Sequence, residues 1–255
     1  MLSFDFFAVY IFIIGLLLGS FYNVCIYRIP REESIIFPPS HCTKCNTRLK
    51  VFDLVPVFSY IFLGGKCRYC GSKISPRYAI VEFMTALIFT VLYLKFGLAF
   101  EFFKFAVLTS FIIVIGLIDH DTTDVYAITT WPGIICGLIF LIVAYFLDKP
   151  FLDGIYGALI GGGVIAAIVV LTQGMGHGDV EICALAGLYL GFKGSIVMLF
   201  FSFVIGGIVG IILIATKKKS RKDYIPFGPY IALGALVALL FGEQIFNWYT
   251  CCLLG

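Results

Sequence analysis

The chain has 255 residues, of which 61% are hydrophobic, 17% aromatic and 13% charged, against roughly 25% charged residues in soluble domains. With a mean hydropathy of +1.04 and apolar residues in long unbroken blocks, a water-soluble globule is excluded and a polytopic, all-α membrane protein is expected. The 18 Lys and Arg exceed the 15 Asp and Glu by only three, so no nucleic-acid partner is expected and the placement of charge matters more than its sum.

Between Asp5 and Arg28 lie 22 uncharged residues, enough for one helix across a hydrocarbon layer of about 30 Å. With no basic leader and no small-residue cleavage site, this reads as a retained span rather than a removed signal. Further spans are expected at 78–96, 102–119, 125–147, 154–173, 180–192, 194–216 and 225–247, about eight in all. The segment 180–192 is short, because 13 residues at about 1.5 Å each fall well below a normal crossing. Eight crossings put 14 of the 18 basic residues on the side of the first loop and of the cluster Lys217–Lys222, a positive-inside bias that makes that side cytoplasmic.

The first loop is the one sizeable polar module. Within it Cys42, Cys45, Cys67 and Cys70 form C-x2-C-x21-C-x2-C, two turns that each aim a pair of thiolates at one ion. The spacing fits a closed, structural zinc site. Two disulfides or a redox pair are the competing readings, disfavoured by a reducing cytoplasm. A loop this small buries too little apolar area to fold alone, so the metal would supply its stability. Cys25, Cys136, Cys183, Cys251 and Cys252 lie in apolar helices or at the tail and read as small hydrophobes.

Acids gather at the same side. GLIDHDTTDVY holds Asp119, Asp121 and Asp124 where the third span ends, and GMGHGD holds Asp179 behind Gly174, Gly176 and Gly178. Ionisable groups at membrane depth are costly and mark function. Asp119 directly continues the apolar run ending at Ile118 and should lie deepest, whereas Asp121 and Asp124 read as solvated loop residues, with Asp121 the runner-up. Paired with a second membrane-edge aspartate, Gly-x-Gly-Asp suggests an aspartyl protease dyad, in which two carboxyls share a proton and one activates water. His41, His120 and His177 read as interfacial polar residues. A transporter using the two aspartates for protons or cations is the rival reading, and it lacks the internal repeats such folds carry. A noncatalytic assembly protein would leave the acids unexplained.

Taken together, these residues resemble the type IV prepilin peptidase family over nearly the whole chain. GSFYNVCIYRIPR at 19–31, the paired CxxC loop, SPRYAIVE at 75–82, LIDHD at 117–121, GMGHGD at 174–179 and IPFGPYIALG at 225–234 are six ordered matches. In the family, Leu-Pro-Asp or Leu-Pro-Asn follows the first aspartate, and Val125-Tyr126-Ala127 stands here instead. The resemblance implies that Asp119 and Asp179 are catalytic, with Gly176 and Gly178 forming the GxGD loop. It also implies a multi-pass enzyme of the bacterial plasma (inner) membrane that removes the basic leader of prepilins or pseudopilins after a glycine, on the cytoplasmic side. The new N-terminal residue, usually Phe, would then be methylated from S-adenosylmethionine. Glu82 and Asn23, polar residues inside the second and first spans, are the candidates for methyl-transfer or substrate contacts. The implied domains are a first transmembrane helix at 1–28, a zinc loop at 29–77 that together with 1–28 and 78–100 serves methyl transfer, and a peptidase core at 78–255.

Overall fold

The computed structural model describes residues 6–172, 174–219 and 225–254. Among these residues the chain is helical, its β-type pairing limited to isolated bridges in the first loop. The helices are α1 (Phe6–Arg28), the short α2 (Phe58–Phe62), α3 (Arg77–Phe96), α4 (Phe100–Thr122), α5 (Ala127–Phe146), α6 (Phe151–Thr172), α7 (His177–Ala215) and α8 (Gly228–Leu254). All but α2 are long and apolar enough to cross a membrane, seven in number, and the protein is a multi-pass membrane protein. Gln173 and the Ser220–Lys222 part of the expected basic cluster lie outside the described residues.

The 39 residues of α7 would reach about 58 Å if straight, nearly twice the hydrocarbon thickness. The helix is not straight. Gly191 has φ 72° and ψ −176°, a left-handed backbone that a side chain would resist. The contacts on α6 show what the break does. Gly157 meets Gly187 on one side of the break and accepts a hydrogen bond from Ser195 Oγ (3.0 Å) on the other, while Gly161 faces both Cys183 and Met198. Residue numbers thus run down one arm of α7 and up the other along the same stretch of α6, so 177–190 and 192–215 form an antiparallel hairpin turned at Gly191. The two segments expected at 180–192 and 194–216 are these arms, and the eight expected passes come from seven helices. The carboxylate of Asp153, in the first turn of α6, accepts the Phe192 amide at 3.1 Å and so caps the second arm.

The chain divides into two compact units, Met1–Phe102 and Phe103–Gly255. In the first, α1 and α3 run antiparallel along a seam with a four-residue step. A Cβ on Gly15 would lie 2.5 Å from Ala86 Cα, and one on Gly19 would lie 2.7 Å from Glu82 Cα. One step further, Asn23 Nδ2 donates to the Tyr78 carbonyl at 3.0 Å. Small residues allow this approach, and in lipid, where apolar burial drives nothing between helices, close packing and polar bonds hold the pair.

In the second unit the α6–α7 seam follows the same rule, since a Cβ on Gly157 or Gly187 would overlap the other's carbonyl oxygen. α8 returns along the second arm of α7, with Gly234 against Ser202 and Met198, and Gly206 against Phe227 and Tyr230. Replacing Gly157 by Leu should force these helices apart at a cost of about 1–3 kcal/mol or more. Thermal unfolding of the purified protein in detergent reads this as a lowered midpoint, and an unchanged midpoint would contradict the seam.

Candidate active site and metal centre

The ends of α4, α6 and α7 and the starts of α5, α7 and α8 meet at one end of the second unit. α4 runs to Thr122, one turn beyond the expected span end, because the helix continues through the acids. Asp119 therefore lies inside the helix and is 1% exposed, while Asp121 and Asp124 are exposed. Asp119 Oδ2 accepts the Gly228 amide at 2.7 Å. Gly228 opens α8, and a Cβ there would come 2.6 Å from the same oxygen. The following Pro229 suits a first helical turn, where no amide is needed. The α8 N-terminus thus presents its free amide and the positive end of its dipole to the carboxylate.

Asp179, 2% exposed, is the third residue of α7. Its Oδ2 accepts the Gly176 amide at 3.2 Å, and its own amide donates to the Gly176 carbonyl at 3.2 Å. This is the carboxylate half of a capping box whose first position is a glycine. Gly178 lies under Val125, where a Cβ would come 2.5 Å from the valine Cβ, so the residue that departs from the Leu-Pro pattern packs against the GxGD turn. Asp119 and Asp179 lie within electrostatic reach of each other. Each is buried, and each has one oxygen fixed by a backbone amide at a helix start.

Nearby, Thr130 Oγ1 donates to Glu181 Oε2 at 2.6 Å, tying α5 to the second turn of α7. The amide of Gly228, the packing of Val125 and the Thr130–Glu181 bond were not foreseen from the sequence, although Gly-Pro in IPFGPY carries the signal of a helix start. Of the histidines, His120 lies within electrostatic reach of Asp119. His120 Nδ1 bonds exposed Asp121 at 3.1 Å, His177 is exposed, and His41 bonds the Pro39 carbonyl at 3.1 Å in the first unit.

In the first loop the two C-x2-C segments fold alike. Cys42 N–H donates to Thr47 O (3.0 Å) and Asn46 N–H to Cys42 O (2.9 Å), and Cys67 N–H donates to Ser72 O (2.8 Å) and Gly71 N–H to Cys67 O (2.9 Å). Asn46 and Gly71, each directly after the second cysteine of its pair, have φ of 53° and 69°, as residues suited to left-handed backbone. His41 pairs with Arg48 and Lys66 with Lys73 at equivalent offsets.

The four sulfurs lie within 4.8 Å of one another. Cys42 and Cys70 are 3.8 Å apart, matching the spacing of about 3.8 Å that Zn–S bonds of 2.3 Å give at a tetrahedral centre. The structure holds the four as free thiols. The amides of Cys45 and Lys44 hold the Cys42 thiol down at about 6, and the Ser72 hydroxyl lowers Cys70. At Cys67 the amides of Cys70 and Tyr69 favour the thiolate, but burial and the neighbouring sulfurs prevail and raise it. Such a donor set suits a soft or borderline metal ion. Asp53 ties the halves of the loop together, accepting from Lys50 N–H (3.1 Å), Arg68 Nε (2.6 Å) and Tyr69 OH (3.0 Å).

Between this loop and the α1–α3 pair lies a cavity of about 430 Å³, lined among others by Asn23, Arg28, Cys42, Tyr60 and Glu82. The two polar residues singled out in the first spans thus face one space. Glu82 Oε2 accepts the Val57 amide at 2.7 Å. Arg28 is buried, its guanidinium donating to the carbonyls of Ser34 (2.8 Å) and Pro38 (2.7 Å).

A polytopic helical protein with a buried aspartate pair in one unit and a four-thiol centre in the other is the class these features define. Two family models match the chain, the bacterial peptidase A24 N-terminal domain over residues 13–96 and the type IV leader peptidase family over residues 106–211. Among curated relatives, a prepilin leader peptidase/N-methyltransferase of Bacillus subtilis (strain 168) is 34% identical, covering 96% of this chain and 98% of its own. One from Pseudomonas putida is 33% identical over 92% and 90%, respectively. No solved structure matches. The chain belongs to the type IV leader peptidase family.

Proposed function

We propose that this protein is a bifunctional prepilin-processing enzyme of the bacterial inner membrane. It removes the basic leader of a prepilin or pseudopilin after glycine on the cytoplasmic side, and then methylates the new N-terminal amine. The observation that carries the peptidase half is the approach of buried Asp119 and Asp179 at one end of the second unit. One carboxylate takes a proton from water as the water oxygen attacks the scissile carbonyl, while the other, protonated carboxyl gives its proton to the carbonyl oxygen; the first then passes its proton to the leaving amine as the C–N bond breaks, and the second recovers a proton from the gem-diol hydroxyl. The amides of Gly228 and Gly176 fix one oxygen of each group, orienting both through the backbone. Basic residues on the loop side give the orientation. A transporter reading of the same aspartates finds no support in relatives named as peptidases and methyltransferases.

The methyl-transfer half rests on residues 1–100 and on the cavity there. S-adenosylmethionine, when bound, supplies an electrophilic methyl group. Glu82 holds the substrate's α-amine and Asn23 bonds the cofactor, each lining the cavity. An α-amine with a pKa near about 8 is partly neutral at cytoplasmic pH. Cys42, Cys45, Cys67 and Cys70 would hold a zinc ion, Cys42 and Cys67 lining the cavity, and four thiolates would make it structural, with no open position for catalysis.

The test co-expresses a prepilin with Asp121→Ala or Glu82→Gln enzyme and reads the substrate mass. Asp121→Ala should leave both modifications intact. Glu82→Gln retains an acceptor for Val57 and should leave cleavage intact while methylation falls about 10²-fold, the lower range for a positioned acid–base group. A retained leader with Asp121→Ala would move the first catalytic position, and full methylation with Glu82→Gln would remove Glu82 from the chemistry.

A further inference from the structure

The stretch from Val51 to Gly65, VFDLVPVFSYIFLGG, carries a single charge and is flanked by Lys50 and Lys66. It lies outside the spans, yet it is as apolar as one. A 3-10 turn at Val51–Asp53 and α2 pack against each other within it. Its residues divide between two faces. Leu54, Ser59, Tyr60 and Leu63 line the cavity. Val51, Phe52, Phe58, Ile61 and Phe62 point away, with Phe52 78% and Phe62 84% exposed. An apolar surface of this size on a polar module marks an interaction site.

The occupant follows from depth. Val57, at the start of α2, donates its amide to Glu82 at 2.7 Å, and Glu82 lies five residues inside the span that begins at Arg77, about 7.5 Å along the helix axis. That bond holds α2 at the level where α3 enters the bilayer, and α1 and α3 tether the loop at both ends. The aromatic and aliphatic face is therefore at the height of the headgroup–acyl boundary, with lysines at either end of the stretch to meet lipid phosphates.

We infer that Val51–Phe62 is an interfacial membrane-docking element, its outward face seated in the phospholipid headgroup–acyl boundary while its inward face closes the cavity. Lipid contact then forms part of the cavity's outer support. The inference does not depend on which reaction the cavity serves.

The test uses the full-length protein in phosphatidylcholine–phosphatidylglycerol nanodiscs, with the native Trp131 and Trp248 replaced by Phe and a single reporter introduced as Phe62→Trp or Phe52→Trp. Both replacements keep an aromatic ring, and resistance to trypsin at Arg68 and Lys73 equal to that of the parent protein confirms that the loop of each variant is folded. Lipids brominated near the carbonyl end of the acyl chain should quench the reporter at least about twofold, as expected for side chains roughly 5–10 Å into the interface, and aqueous iodide should quench it little. Efficient iodide quenching with no effect of brominated lipid would overturn the inference. So would shielding that arises only when prepilin is added, which would give the surface to the substrate.

Discussion

Asp119→Asn or Asp179→Asn is expected to abolish leader removal, lowering the cleavage rate by on the order of 10³-fold or more, the scale of losing a positioned acid or base. That is about 4 kcal/mol of transition-state stabilisation. Asparagine keeps an oxygen to accept the Gly228 or Gly176 amide, so the helix starts should survive and the protein should unfold at a wild-type temperature. The pair acts as a unit, so the double variant should be little worse than either single one. Cleavage by either variant near the wild-type rate would remove that aspartate from the mechanism. Methylation of a precleaved substrate should persist in both, because the proposed methyl-transfer cavity lies in the other unit.

The second large effect concerns the thiol centre. Cys67→Ser removes the buried member of the quartet, and metal content should fall from about one ion per chain to near zero, since structural zinc is bound with about 10–16 kcal/mol in small domains that fold around it. Apart from the thiol centre the loop is held by scattered polar bonds, among them those of Arg28 to Ser34 and Pro38 and of Val57 to Glu82. Its two knuckles are joined by the Asp53 bonds to Lys50, Arg68 and Tyr69, and much of its apolar surface points outward. Loss of metal should therefore open Arg68 and Lys73 to trypsin and reduce methylation to background, while cleavage by the second unit continues. Undiminished metal in Cys67→Ser would contradict the four-thiol site. Loss of cleavage together with methylation would contradict the division of labour proposed for the two units.

What could be read from residue order differed between elements. The quartet of cysteines was legible because metal geometry imposes a short local spacing, and the left-handed positions at Asn46 and Gly71 fit residues that tolerate them. Asp119 and Asp179 were legible as costly charges next to apolar runs. Their fixing by Gly228 and Gly176 was only half legible. The Gly176 bond is local, three residues from Asp179, but the Gly228 bond joins positions 109 residues apart and depends on how α8 returns beside α4. Segment 180–192 looked too short to span. Its length is explained by the turn at Gly191 and by packing on the glycines of α6, a tertiary fact that hydropathy does not encode. Glu82 and Asn23 stood out as polar residues in spans, yet their common cavity follows from the Gly15–Gly19–Asn23 seam. The Val57–Glu82 bond links a loop to a span and leaves no trace in periodicity.

The most direct measurement is the intact mass of a prepilin incubated with the purified wild-type protein in lipid, with and without S-adenosylmethionine. The expected product without the cofactor is the substrate shortened by its leader at a glycine, and with the cofactor the same product heavier by one methyl group at its N-terminus. A prepilin that keeps its leader under both conditions, with a folded and metal-loaded protein, would contradict the assignment of this chain as a prepilin-processing enzyme.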